Sequence, residues 1–401
     1  MIPELFSSPE KCCACGACLN ICPKDAISFQ ADKYGFRFPV IDMAQCIECG
    51  NCVSVCDFHN EKTEFRKIPI RGYAAVLQDR VRLKQSASGG VFWAVAEWII
   101  KKGGCVFGCV WDTEMNPVHV CAESIEQLVP MQGSKYVQSD IGFAYRQVKK
   151  KLEEDRYVLF TGTPCQVAGL RSYLKNKPFD RLFTIDLVCH GVPNNTFFHQ
   201  YIGFLEKQYA AKVIDFHFRH KRPDWLNGCI WVKFEKKNKT FTRELFHKES
   251  LYYMKFTPKN QSCRLSCAEC KYACSRRVGD MTMGDFWGYN NAGIKLKYGG
   301  GLSCVLVSDE RFLSIINELN LELQEVTIDS IVNGNGQLRY PYYKDDLWDQ
   351  VMEASANGDF ERLINDYNKE KSAFMRRARI KKILPPRTLI FLQKIVTKVV
   401  G

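Results

Sequence analysis

The chain has 401 residues, of which 46% are hydrophobic, enough to bury a full core and, on length alone, to build two or three domains. Its formal net charge is +12, yet the basic residues are scattered and no helix-turn-helix, zinc-finger or RNP pattern organises them, which argues against a nucleic-acid role. No run approaches the roughly eighteen uncharged apolar residues of a membrane-spanning helix. The start, Met1-Ile2-Pro3-Glu4-Leu5-Phe6, has neither a basic region nor an apolar one, so the twenty cysteines are read in a reducing cytoplasm, as metal ligands rather than a disulfide scaffold.

The first element is a cysteine repeat. Cys12-x2-Cys15-x2-Cys18-x3-Cys22-Pro23 is followed by Cys46-x2-Cys49-x2-Cys52-x3-Cys56. Thiolates two residues apart in a tight turn reach three irons of one cubane, while the fourth cysteine is carried to the partner cubane. Cys12, Cys15, Cys18 and Cys56 are therefore expected to hold one 4Fe–4S cluster, and Cys22, Cys46, Cys49 and Cys52 the other. Paired C-x2-C units also serve zinc, but four-ligand runs at these spacings favour cubanes. Gly16 and Gly50 fall where backbone would pass close to sulfide, Pro23 would stop further helix, and Cys13 is surplus. Such a module passes single electrons and has no substrate alone.

Beyond a linker near Glu61 to Pro69, strands alternate with helices, which predicts an α/β body with a mainly parallel or mixed sheet. Gln85-Ser86-Ala87-Ser88-Gly89-Gly90 opens a predicted helix from Val91 to Ile99, followed by a strand from Cys105 to Trp111. That serine–glycine turn suits either an ordinary helix cap or a phosphate-holding helix start. Tyr157 to Phe160 reads as a buried strand, Thr161 to Pro164 as a turn and Cys165 as a helix start. Leu182 to Val188 reads as a second buried strand, ending at Cys189-His190-Gly191, with Asn194 or Asn195 capping the next helix. In a parallel sheet the carboxyl ends share one edge, so Cys165 and Cys189 are expected to lie near each other. With Cys263-x3-Cys267-x2-Cys270-x3-Cys274 further on, two arrangements stand open. One is a third 4Fe–4S cluster on Cys165, Cys189, Cys267 and Cys270; the other is a self-contained zinc or cluster site on Cys263, Cys267, Cys270 and Cys274.

These residues resemble the beta subunits of coenzyme F-420-reducing hydrogenases and dehydrogenases and their relatives among plastid chlorophyll-pathway reductases. The resemblance is carried by Ser86-Ala87-Ser88-Gly89-Gly90, Gly133-Ser134-Lys135-Tyr136-Val137-Gln138-Ser139, Thr161-Gly162-Thr163-Pro164-Cys165-Gln166, Asp186-Leu187-Val188-Cys189-His190-Gly191-Val192-Pro193, Phe218-Arg219-x-Lys221 and Asp280 to Gly288, across about 70 to 320. It implies a flavoprotein holding FAD beside an iron–sulfur cluster, with a hydride exchanged with a small organic substrate or deazaflavin-type coenzyme. Carried over, the FAD contacts fall on Ser88, Gly89, Gly90, Lys135 and Tyr136. Lys135, Arg219 and Lys221 suit phosphates, an anionic substrate or a solvated surface. His190 is the candidate catalytic residue, protonating substrate or donating to a cluster sulfur; a buried histidine with an ordinary partner is the plainer reading.

The expected organisation is an α+β ferredoxin-like dicluster domain over 1–66, an α/β flavin-binding domain in two parts over 70–150 and 151–325, a helical extension over 326–375 and a basic tail over 376–401. That tail fits equally a helix lying on an anionic membrane surface and one packed on the body. The expected function is a cytoplasmic iron–sulfur and FAD oxidoreductase served by ferredoxin or companion subunits. The alternative is an electron-relay subunit without its own substrate site.

Overall fold

The computed structural model describes residues 4–369 except 59, 61–64, 223, 224, 227 and 258, and residue 372. The basic tail and part of the expected linker lie outside the described residues.

In the N-terminal domain two short helices, Ala17–Ile21 and Asn51–Ser54, each follow a glycine with positive φ, 81° at Gly16 and 71° at Gly50. The left-handed backbone alone is the reason for glycine at Gly50, where a Cβ would meet nothing within 4 Å, whereas at Gly16 a Cβ would also stand 3.1 Å from Ile141 Cβ. Strands β1 (Ile27–Ala31) and β2 (Arg37–Ile41) pair antiparallel between the two helices in sequence, Ile27 opposite Ile41.

The body is built on an eight-stranded sheet of β3 (Arg71–Leu77), β4 (Cys105–Trp111), β5 (Pro117–Ala122), β6 (Val158–Gly162), β7 (Leu182–Leu187), β11 (Met281–Asp285), β12 (Ser303–Val307) and β13 (Leu321–Val326), in the order β13-β3-β12-β11-β7-β6-β4-β5. Strands β4, β6, β7 and β11 are mutually parallel, and the flanking pairs are antiparallel. The sheet is therefore mixed, with a parallel centre. Every residue of β6 is buried, as a strand covered on both faces must be. A second, three-stranded sheet is a meander of β8 (Lys212–His220), β9 (Cys229–Lys236) and β10 (Lys239–Phe246). The helix Asn195–Tyr209, capped by the Asn194 side chain on Phe197 N, packs Phe197, Phe198 and Tyr201 into an aromatic core with Phe216, Phe218 and Tyr252.

Described residues after 325 pack into both cores. Ile331 and Leu338 are fully buried in the main core, while Trp348, in the helix Trp348–Ala356, is buried in the aromatic core and donates its indole N–H to Cys263 O at 2.7 Å. The N-terminal domain is not loosely tethered. Ala17, Val55 and Phe65 share a core with Phe107, Tyr145, Phe160 and Val167.

One buried ion pair ties the body's elements together. Arg277 and Asp186 have side chains 1% and 0% exposed, with Nη2 and Oδ1 3.1 Å apart. Asp186 also accepts from Thr282 Oγ1 at 2.5 Å and Gly279 N at 3.0 Å, and Arg277 donates to the carbonyls of Tyr272, Cys274 and Leu187. The segment bearing Cys263 to Cys274 is thereby fastened to the end of β7. Asp186→Ala would leave a buried guanidinium without its counter-charge, a loss of about 3–5 kcal/mol. Denaturant unfolding of the variant should show its stability reduced by that amount, and Asp186→Asn should fall between it and the parent.

Candidate redox site

The structure gathers the N-terminal cysteines into two groups. Burial pushes the Cys18 thiol well above its ordinary pKa, and the thiols of Cys15, Cys12 and Cys56 beside it add to the effect. Cys22, Cys46, Cys49 and Cys52 line a separate small cavity, with Cys49 exposed at the surface. A third group forms in the body. Cys165 lies in the first turn of the helix Pro164–Tyr173, Cys189 two residues past β7, and Cys267 and Cys270 in the segment held by Arg277; all four line one cavity. Parallel pairing brings them there, since Gly162 lies opposite Asp186 and Met283 opposite Leu187. Cys263 is fully buried beside this group, its Sγ 3.0 Å from where a Cβ on Gly191 would stand. The Cys274 thiol faces elsewhere, toward the carbonyls of Lys271 and Arg276.

Among the described residues no three His, Cys, Asp or Glu side chains converge to hold one metal ion. A cubane needs no such convergence, because each thiolate takes a different iron. The Cys267 thiol is driven up by burial and then by Cys263, Cys189, Cys270 and Cys165 around it. Iron would hold these sulfurs as thiolates and relieve that crowding.

Against this group lies a cavity of about 440 Å³ at the carboxyl edge of β4, β6, β7 and β11. Ser88 and Gly90 line it just ahead of the helix Val91–Lys101. Gly89 does not line it; a Cβ there would stand 2.2 Å from Ala75 O, so this glycine serves close packing against β3. Lys135 and Tyr136 are on the wall, the lysine donating to Pro130 O at 2.7 Å and Gln132 O at 3.2 Å. Arg219 is also on the wall and is paired with Asp285 at 2.6 Å; Tyr136 Oη, 3.3 Å away, accepts a second bond. Lys221 is turned away from the wall, its ammonium bonded to the carbonyls of Leu83, Ser88 and Gly300 at 2.5–2.6 Å. Three carbonyl partners satisfy the three donors of an ammonium, so Lys221 braces the Ser88 turn and has no donor left for a phosphate. His190 lines both the large cavity and the cysteine cavity, and burial lowers its pKa, which keeps the ring neutral.

Four further wall residues, His119, Gln132, Asp285 and Asn335, were not among the candidates that sequence reasoning supplied. Each carries a buried acceptor with no hydrogen-bond partner among the described residues: His119 Nδ1, Gln132 Oε1, Asp285 Oδ1 and Asn335 Oδ1. His119 Nε2 meets Thr161 O at 3.0 Å, so the neutral ring keeps its proton there and leaves Nδ1 as an acceptor; burial lowers its pKa to about 4. Gln132 and Asn335 direct their amide N–H groups to Ser86 Oγ and Ile331 O. Orphaned buried acceptors cost free energy, so the wall is built for a ligand rich in N–H and O–H donors.

Side chains of the body hold the backbone of the first cysteine run. Arg264 Nε donates to Cys12 O at 2.8 Å, Gln138 Nε2 to Cys13 O at 2.9 Å and Tyr145 Oη to Cys15 O at 2.6 Å. Tyr272 and Lys271 both bond Asp57, next to Cys56.

Residues 11–60 match the 4Fe–4S dicluster domain, and residues 155–331 match the C terminus of the coenzyme F-420 hydrogenase/dehydrogenase beta chain. The F subunit of the F(420)H(2) dehydrogenase of Methanosarcina mazei is 25% identical over 196 residues, 45% of this chain and 53% of that protein. The coenzyme F-420-dependent sulfite reductase of Methanocaldococcus jannaschii is 26% identical over 187 residues, 45% of this chain and 28% of that protein. The chain thus spans about half of the first relative and less of the second. A chain of the F-420-reducing NiFe hydrogenase complex of Methanosarcina barkeri aligns with 76% of this chain and 92% of its own length at 15% identity and a TM-score of 0.43.

A dicluster domain fused to a mixed α/β domain makes this an iron–sulfur electron-transfer protein. Its residues 155–331 are similar to the C terminus of coenzyme F-420 hydrogenase and dehydrogenase beta subunits.

Cys15 packs closely on Gly169, where a Cβ would lie 2.9 Å from Tyr145 Oη and 3.1 Å from Cys15 Sγ. Gly169→Val should cost about 1–3 kcal/mol of overpacking and displace Cys15. Iron per purified chain should fall in that variant, whereas Gly203→Ala, with open space around it, should leave iron unchanged.

Proposed function

We propose that this protein is an iron–sulfur flavoprotein oxidoreductase that joins one-electron transfer to hydride exchange at FAD with a small organic substrate or deazaflavin-type coenzyme. In this reading Cys12, Cys15, Cys18 and Cys56 hold one cluster, Cys22, Cys46, Cys49 and Cys52 a second, and Cys165, Cys189, Cys267 and Cys270 a third. The observation that carries it is a shared wall. Thr163, Cys165, Cys189, His190, Gly191 and Val192 line both the large cavity and the cysteine cavity, so occupants of the two would be separated by a single layer of protein.

Clusters carry electrons singly and a flavin pairs them into a hydride. The chain's own part is to bind, orient and move a proton. Backbone N–H groups at Ser88, Gly90 and the start of the helix Val91–Lys101 suit the anionic phosphates of FAD, while Lys135, bonded to the carbonyls of Pro130, Gln132 and Gly133, and Arg219, paired with Asp285, shape the wall beside them. The buried acceptors of His119, Gln132, Asp285 and Asn335 suit the N–H and O–H donors of a flavin ring and its polyol. His190, neutral and on both walls, is placed to take or give the proton that accompanies hydride transfer. Exposed Cys49 makes the second cluster the entry point for a ferredoxin or another protein of the same complex. The names of the two relatives favour the deazaflavin coenzyme as hydride partner.

Anaerobically purified protein should carry about twelve irons, in three cubanes of four, together with flavin absorbance that dithionite bleaches. Cys165→Ser should retain about eight of those irons. A full iron complement with no flavin would establish the relay alternative instead. With reduced deazaflavin coenzyme as donor, His190→Asn should slow turnover at unchanged flavin and iron. Where His190 accepts the proton, the acid limb of the parent's pH profile should lie below the ordinary imidazole value, because burial lowers the pKa, and His190→Asn should remove that limb.

A further inference from the structure

Two arginines among the described residues, Arg264 and Arg277, are buried to 1% exposure, and they differ in one respect. Arg277 is paired with Asp186, whereas Arg264 directs its hydrogen bonds to uncharged acceptors alone: Nε to Cys12 O at 2.8 Å, Nη1 to Gln138 Oε1 at 3.1 Å and Nη2 to Arg37 O at 2.9 Å. Its guanidinium carbon also lies 4.2 Å from the centroid of the Phe38 ring, again an uncharged partner. A guanidinium stays protonated at any working pH, so it cannot shed its charge on burial as a lysine can. A buried charge with no counter-charge is strongly destabilising. The fold therefore calls for an anion beside Arg264 that none of these partners supplies.

Its position names the anion. The side chain is bonded to the backbone of Cys12 in the first cysteine run, while its own backbone is held in the third group, Arg264 N donating to Val192 O at 2.9 Å and Cys267 N to Arg264 O at 3.0 Å. Val192 and Cys267 both line the cavity of Cys165, Cys189 and Cys270. We propose that Arg264 supplies the fixed positive counter-charge for the two anionic cubanes it adjoins, the first N-terminal cluster and the cluster of the body. This rests on the three-cluster reading above. A cubane held by four thiolates is an anion and becomes more negative on reduction, so a buried cation favours the reduced form and raises the reduction potential. Little water lies between such groups to screen the effect. Arg264 itself gains and loses neither proton nor electron; one charge serves both clusters, and both become easier to reduce.

The test uses the full chain, purified anaerobically, with iron and sulfide counted and the clusters titrated by paramagnetic resonance. Arg264→Gln keeps an N–H donor and drops the charge, whereas Arg264→Lys keeps the charge and drops the planar fork, so the difference between the two variants isolates the charge. In Arg264→Gln the potentials of the first and third clusters should both become more negative, while the second, whose Cys49 is exposed to screening water, should move least. Arg264→Lys should restore both potentials at least in part. Iron lost from Arg264→Gln but kept by Arg264→Lys would equally support the counter-charge. Potentials unchanged in Arg264→Gln, or changes in potential or iron that are the same in both variants, would make Arg264 a packing residue and overturn the proposal. A shift confined to one cluster would overturn the sharing. A parent protein that holds only about eight irons would instead remove the third cluster, an outcome seen before any variant is titrated.

Discussion

The buried pair of Arg277 with Asp186 decides where the cysteines of the body can meet, because it acts on three parts of the chain at once. Asp186 stands near the end of β7, just ahead of Cys189, and Arg277 holds the carbonyls of Tyr272, Cys274 and Leu187. The cysteine-bearing segment is thus laid against the end of β7, and an isolated antiparallel bridge between Pro193 and Cys263 closes the same join. Two charges without water require one another. That mutual requirement makes the arrangement all-or-none rather than adjustable.

A second consequence concerns electron transfer between domains. A ferredoxin module on a flexible tether would meet its acceptor at variable distance. Here the carbonyls of Cys12, Cys13 and Cys15 accept from Arg264, Gln138 and Tyr145, and Ser172 Oγ donates to Val55 O at 2.6 Å. Arg146 adds bonds to Asn20 O and Cys22 O, both at 2.7 Å. The domain is positioned through its backbone, so its side chains are left for iron. Cys12, Cys15 and Cys18 are half-buried, while Cys49 is exposed.

The large cavity shows how a binding wall is assembled from parts that do other work. Asp285 neutralises Arg219 with one oxygen and leaves the other unpaired; Gln132 braces Ser86 with its amide N–H and leaves its carbonyl oxygen unpaired. Lys221 shows the reverse, a cation in a family motif whose donors all stabilise the turn that carries Ser88.

The dicluster domain was legible in the sequence because a C-x2-C-x2-C turn is a local structure whose spacing suits one cubane. The same holds for the strands β4, β6 and β7 and for the Asn194 cap, where buried runs and a capping side chain are read within a few residues. Whatever depends on pairing between distant strands was not legible in the same way. The acceptors of His119 and Asn335 carry no motif, and only the sheet order brings β5 and the end of the helix Ile328–Gly334 to the same cavity. Lys221 and Gly89 lie in family motifs, but whether they face a ligand or the backbone is settled by three-dimensional packing. Cys13 is the sharpest case. Its spacing marks it as surplus, and only the docking of the two domains brings it to the cavity lined by Cys165, Cys189, Cys267 and Cys270, since contact, unlike spacing, is a property of the folded chain.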